Sequence, residues 1–276
     1  MEMDVASSAS DSIRAVTGHT RIFGILADPI YHVKTPEVMN ALFKRHGVDG
    51  VLIPFHVAPD GLAAMVDGLR TMQNFAGFIA TVPHKPAMLT LCDEITPEAK
   101  QIGAVNCVRR EADGRMVGTM LDGIGFVEAL RATGAEPKGM RAYIAGAGGA
   151  ASAIAFALAA AGVSHLTIAN RTATKANELV DRLHAVYPTV TVSTDAGAVK
   201  NHDLIVNGTS LGMKPTDAPP LDFSLIESRQ IVAEAIMEPE MTPLLRAAEA
   251  KGCRIQRGKP MLESQIVLMA KHMGGL

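Results

Sequence analysis

The chain has no tryptophan, and aromatic residues make up only 4% of its 276 positions. Its core must therefore be built from Ala, Val, Leu, Ile and Met, which argues against an aromatic-rich β-sandwich and for helices layered on a sheet. Cysteine is scarce as well. Cys92, Cys107 and Cys253 are odd in number and lack CxxC spacing, which fits a reducing compartment, by default the cytoplasm, better than a disulfide framework. Charge of one sign is not in excess, because 26 Lys and Arg against 28 Asp and Glu leave a net −2, so a nucleic-acid partner is not expected. Residues 1–20 contain no apolar run of signal-peptide length and read as a loose leader. Ala142–Asn170 carries no formally charged side chain and is long enough to span a bilayer. Its glycines, and the Ser164-His165 pair before the β-like Leu166-Thr167-Ile168, divide it into strand, turn, helix and strand, so no membrane association is expected.

What is present is a hydrophobic share of 48% with 20% charged residues, the composition of a chain that folds almost throughout. Strand-like and helical runs alternate, the pattern of βαβ units. Strands are predicted at Ile22–Leu26, Val51–Phe55 and Phe78–Val82, and later at Ala142–Ala145, Leu166–Ala169, Thr189–Val192, Leu204–Val206 and Ile231–Ala235. A helix should start with Thr35 as N-cap and Pro36 at the first turn, and another with Asp60 as cap. In the latter, Leu62, Met65, Val66, Leu69 and Met72 form one apolar stripe. Further helices are predicted from Asp122 up to Gly134, over Lys175–Val186, over Met241–Lys251 and over Met261–Met273. The second half reads as one dinucleotide-fold half followed by a shortened second half.

Gly146-Ala147-Gly148-Gly149-Ala150-Ala151 follows an apolar strand and opens an Ala-rich helix. Gly146, Gly148, Gly149 and Ala150 suit a tight turn that lets backbone approach a pyrophosphate at a helix N-terminus; tight helix-on-strand packing is the alternative use of such a run. An NAD-selective fold ends its next strand in an acid about 20 residues on. Here the strand ends Ala169-Asn170-Arg171-Thr172, followed by Lys175. Without an acid, and with two cations where a 2′-phosphate would lie, the site favours NADP(H), although a solvated helix start would look the same.

From about Phe23 to Gln265 the chain resembles the shikimate dehydrogenase family. The resemblance is carried by Thr81-Val82-Pro83-His84-Lys85, Ile102-Gly103-Ala104-Val105-Asn106, Leu121-Asp122-Gly123-Ile124-Gly125-Phe126 and Asn207-Gly208-Thr209-Ser210-Leu211-Gly212-Met213. Pro239, Thr242, Leu244 and Leu245, then Gly258, Met261, Leu262 and Gln265, complete it. It implies Lys85 and Asp122 as the catalytic pair beside a substrate hydroxyl. Thr81, Asn106 and Gln265 would then bind ring hydroxyls, and Val33 and Thr35 would stand where the substrate carboxylate is held. Asn207, Thr209, Ser210, Met213 and Gly258 join the cofactor site. Alcohol oxidation needs a group to take the O–H proton while hydride leaves carbon, which a tunable amine beside a carboxylate supplies. Read without the resemblance, Lys85 after a proline is a helix start and Asp122 an N-cap before Gly123.

The departures concern the substrate. Val33-Lys34-Thr35-Pro36 replaces S-x-S-P, Ile79 replaces an Asn, Met237 a Tyr and Glu238 an Asn. Either Lys34 or Thr35 could restore a carboxylate contact, with Lys34 more naturally turned to solvent. His32, His56 and His84 lack metal-ligand spacing, so no metal is expected, and Cys107 reads as a small packed side chain. The expectation is an α/β protein with an N-terminal α/β substrate domain, 21–121 completed by 258–276, and a Rossmann-like NADP-binding domain, 122–257. It would be an NADP-dependent oxidoreductase for an alicyclic hydroxy acid or its ketone. A related but less acidic substrate, or a non-catalytic NADP(H)-binding protein, are the alternatives. The partner is a small alicyclic molecule, and the chain a monomer or homodimer.

Overall fold

The structure, a computed structural model, describes residues 16–31 and 33–276. Most of the leader, and His32, lie outside the described residues. Two six-stranded sheets form the frame. The first carries β1 (Arg21–Ala27), α1 (Thr35–Arg45), β2 (Gly50–His56), α2 (Leu62–Thr71), β3 (Phe75–Ala80), α3 (Met88–Leu91), β4 (Glu94–Ile95), α4 (Pro97–Ile102), β5 (Cys107–Arg110) and β6 (Met116–Thr119). Its order is β2-β1-β3-β5-β6-β4, with β1 parallel to β2 and β3, and β5 antiparallel to β3 and β6.

The chain continues through α5 (Asp122–Ala132), β7 (Arg141–Ala145), α6 (Gly149–Ala160), β8 (His165–Ala169), α7 (Ala173–Val186) and β9 (Thr191–Ser193). It then runs through β10 (Leu204–Asn207), β11 (Ile231–Glu234), α8 (Pro243–Ala250), β12 (Arg254–Gln256) and α9 (Lys259–His272). The second sheet runs β12-β11-β10-β7-β8-β9 and is parallel throughout. Its order reverses between β7 and β10, opening the crevice where such sheets bind dinucleotides. The fold is α/β with a Rossmann-like second sheet.

Several local expectations shift. Lys34 holds the cap position of α1, without a side-chain cap, and Thr35 is already helical and buried. Asp60 sits inside a 3-10 turn, Pro59–Gly61, so α2 starts at Leu62 with Gly61 as its cap. Strand β3 ends at Ala80, and Val82 is 60% exposed. The second half of the parallel sheet is complete in strands: only its links are shortened, to 3-10 turns after β9 and β10 and to α8 before β12. The predicted stripe on α2 holds, with Leu62, Val66 and Leu69 buried and Met65 and Met72 packed beside them.

Helix α5 packs against both α6 and α9. Its glycines make this contact possible. A Cβ on Gly123 would stand 2.1 Å from the Ala153 carbonyl oxygen, and one on Gly125 would stand 2.7 Å from that of Met261. The D-G-I-G run therefore wedges the start of α5 between one helix of the parallel sheet and the C-terminal helix. Gly123→Ala should destabilise the protein by at least about 1–3 kcal/mol, the usual cost of overpacking, and lower kcat as Asp122 moves with the backbone. Thermal denaturation of the variant beside wild type checks the first effect.

Candidate active site

Four side chains far apart in sequence meet in one hydrogen-bonded cluster. Lys85 follows a turn closed by the His84 N–H on the Thr81 carbonyl, at 2.7 Å. His84 is itself buried and its Nε2 lies 2.8 Å from the Val57 carbonyl, so it braces the turn that presents Lys85. Lys85 Nζ lies 2.5 Å from Asp122 Oδ2. Asn106 donates from Nδ2 to Asp122 Oδ1 at 2.6 Å and more weakly to Gln265 Oε1 at 3.4 Å. The Asn106 amide is oriented by the Leu121 N–H, which donates to its Oδ1 at 2.9 Å, and the Val105 N–H donates to the Lys85 carbonyl at 3.0 Å. The lysine and aspartate side chains are 15% and 7% exposed, so the pair is desolvated yet still open on one side.

Thr81 is half-buried, just beyond the end of β3. Val33 and Met237 are partly buried and pack onto the apolar cluster of Leu121, Leu262, Ile266 and Cys107. Ile79 lies within that cluster, 3% exposed. It therefore backs the wall and does not face the opening, because the alternation of β3 turns its side chain toward the apolar cluster packed by α1 and α9. Lys34 is exposed and Thr35 buried.

A cleft of about 880 Å³ is lined by Gly146, Ala147 and Gly148, by Asn170, Arg171, Thr172 and Lys175, and by Gly208, Thr209, Ser210 and Leu211. Gly146 has φ 114°, a conformation glycine adopts at little cost. Gly148 caps α6 with no side-chain hydrogen bond, and a Cβ on Gly148 or Gly149 would meet nothing within 4 Å. The helix therefore presents open N–H groups. Asn170 Nδ2 holds the next turn by donating to the Thr172 carbonyl at 2.9 Å. Arg171 and Lys175 are exposed, and among the described residues no acid pairs with either.

Gly149, Ala150, Asn207, Met213 and Gly258 do not line this cleft. Asn207 is buried beneath the lining turn, where its Oδ1 accepts from Thr209 N–H and Oγ1–H at 3.0 and 2.7 Å. Gly258 has a packing reason of its own, since a Cβ there would stand 2.1 Å from the Ile236 carbonyl oxygen. Sequence reasoning missed Tyr143, Ala196 and the Ala218–Asp222 loop, which close the cleft and carry no motif. It also missed Glu234, whose partners come from three segments.

Burial pushes the Cys92 thiol up to about 12 and that of Cys107 higher still, so neither is a nucleophile at neutral pH. Among the described residues no group of three His, Cys, Asp or Glu could hold a metal ion, and no helix is long and apolar enough to cross a membrane.

Residues 25–108 match the family model described as shikimate dehydrogenase substrate binding domain, and 128–213 that described as shikimate / quinate 5-dehydrogenase. The shikimate dehydrogenase (NADP(+)) of Geobacter metallireducens is 40% identical over 258 residues, covering 91% of this chain and 90% of its own. The structure of Thermus thermophilus shikimate 5-dehydrogenase in complex with NADP(H) and shikimate aligns with a TM-score of 0.84 at 32% identity, over 93% and 94% of the two chains. That of a Gluconobacter 5-ketofructose reductase aligns with a TM-score of 0.82 at 34% identity, also over 93% and 94%. On sequence and fold together, the chain belongs to the shikimate dehydrogenase family.

Proposed function

We propose that the protein is an NADP-dependent oxidoreductase that interconverts an alicyclic hydroxy acid of the shikimate type and its ketone. The observation that carries this reading is the Lys85–Asp122 pair at 2.5 Å, with Asn106 bridging to Gln265. The cleft fits the cofactor: the open N-terminus of α6 suits the pyrophosphate, and Arg171 with Lys175 suits a 2′-phosphate. When bound, NADP supplies the hydride acceptor.

Lys85 Nζ contacts Asp122 and the lysine side chain keeps 15% exposure, so a substrate hydroxyl can complete its hydrogen bonds. The O–H proton passes to the Lys85–Asp122 pair as hydride leaves carbon; in ketone reduction Lys85 Nζ donates the proton to the carbonyl oxygen. Asn106 fixes Asp122 Oδ1, which leaves Oδ2 to the amine. Gln265, buried on α9, offers an amide to a second ring hydroxyl. NADPH consumption with alicyclic ketones, and NADP reduction with the alcohols, tests the reading; a protein that binds NADPH and turns over none of them is a binding protein instead.

A second reading is favoured by the apolar wall that Val33 and Met237 share with Leu121 and Ile266, and by the likeness to the 5-ketofructose reductase. In that reading the substrate is a polyhydroxy ketone without a carboxylate, and a neutral ketose in the same panel separates the two. The three cysteines are free, which suits the cytoplasm, and size-exclusion chromatography decides between monomer and homodimer.

Cofactor choice should be strong. Each charge-assisted contact to the 2′-phosphate stabilises by about 1.5–3 kcal/mol, so one or two such contacts from Arg171 and Lys175 predict NADPH binding roughly tenfold to 10⁴-fold tighter than NADH, toward the lower end because both are exposed. Fluorescence titration of the two cofactors measures this, and Arg171→Asp should erase most of the difference. Equal affinities in wild type would remove the basis for NADP.

A further inference from the structure

Glu234 is a completely buried carboxylate at the end of β11 that faces no cation among the described residues. An uncompensated buried charge is costly unless every lone pair is met. Its four acceptor contacts come from three segments and offset part of that cost, while burial still raises its pKa to about 7. Oε2 accepts from Thr242 Oγ1–H at 2.8 Å and from Asn207 Nδ2–H at 3.2 Å. Oε1 accepts from the Ala235 and Ile236 N–H groups at 3.1 and 3.3 Å.

The Asn207 contact has the widest reach. With one amide hydrogen on Glu234 and the other on the Leu211 carbonyl at 3.0 Å, Asn207 must turn its oxygen to Thr209, whose hydroxyl in turn accepts from Leu211 N–H at 3.0 Å. These bonds fold the Gly208–Leu211 turn that lines the cleft. In the sheet the ends of β8, β7 and β10 lie side by side, with β11 next. A dinucleotide with its 2′-phosphate beyond β8 and its pyrophosphate beyond β7 therefore brings its remaining end to the β10 turn. The Ala235–Ile236 contacts hold the start of the segment leading to Met237, which packs with Val33 in the apolar substrate wall.

We propose that Glu234 is a positioning residue, whose carboxylate fixes the β10 turn through Asn207 and so sets where the nicotinamide end of the cofactor lies relative to the substrate wall. This rests on the NADP reading of the cleft. Glutamine is close in shape but has one acceptor oxygen, so its NH₂ would face a pair of donors in place of an acceptor.

The test compares NADPH with 2′,5′-ADP, a fragment that reaches only the β8 and β7 ends, in wild type and Glu234→Gln. The expected result is an NADPH Kd raised roughly tenfold to a hundredfold, the span set by one lost hydrogen bond to a charged group, with the 2′,5′-ADP Kd unchanged. A kcat lowered by up to about 10²-fold, as a misplaced reactant end costs, should accompany it, with substrate KM near wild type. Thr242→Val, which removes one donor to the same oxygen, should show the same split at smaller size and carries the test if the glutamine variant does not fold. Parallel weakening of both ligands, or an unchanged NADPH affinity, overturns the proposal. Failure of wild type to bind either ligand would instead overturn the NADP reading itself.

Discussion

Lys85→Ala should lower kcat by about 10²–10⁴-fold, the usual contribution of a positioned proton-transfer group, while leaving the NADPH Kd nearly unchanged. The separation follows from geometry: Lys85 contacts Asp122 and is absent from the lining of the cofactor cleft. Asp122→Asn should cost kcat comparably, because Oδ2 holds the amine and Oδ1 holds Asn106. Removing both should cost little more than removing one, since groups that act as a unit are not additive. Steady-state kinetics on the best substrate of the panel, with NADPH titrations alongside, measures all three. A Lys85→Ala enzyme that retained most of its kcat would show that the proton travels by another route.

Shikimate itself should be a poor substrate. Val33 stands where the resemblance places a hydroxyl for the carboxylate and Met237 where it places a tyrosine near the ring, and both pack against an apolar cluster. Each missing hydrogen bond to a charged group costs about 1.5–3 kcal/mol, so two predict a kcat/KM lower by roughly 10²–10⁴-fold. From the usual range of about 10⁴–10⁸ M⁻¹s⁻¹ that leaves a marginal rate. Ile79 is the third departure, but its burial makes Ile79→Asn a poor probe, because an amide there would enter the apolar core without a partner. The better probe is Val33→Ser with Met237→Tyr, both at partly buried positions. This double variant should gain at least about tenfold in kcat/KM on shikimate, equivalent to restoring one such bond. A wild-type value near the middle of the usual enzyme range, with no gain in the variant, would mean that Thr35 or Lys34 already grips the acid.

Much of this molecule was determined locally. The strands near Ile22, Val51, Ala142, Leu166, Leu204 and Ile231 form where apolar, β-prone runs sit between turn residues. The Gly146–Gly149 turn is legible because only that backbone chemistry allows so tight a bend before a helix. Lys85 and Asp122 stood out through the segments around them, and the structure brings them together.

Tertiary structure decided the rest, through contacts between residues remote in sequence. Asn106 and Gln265 are 159 positions apart, and they meet only because Gly123 and Gly125 let α5 sit close against α6 and α9. Thr35 and Asp60 looked like caps, yet their helices begin one turn position away where packing and a 3-10 turn take over. Gly258, read from the sequence as a cofactor residue, also has a packing reason to be glycine that only the fold reveals, the nearby Ile236 carbonyl. Glu234 carried no signal at all, since a lone acid at a strand end acquires meaning only from the four donors that the fold gathers around it.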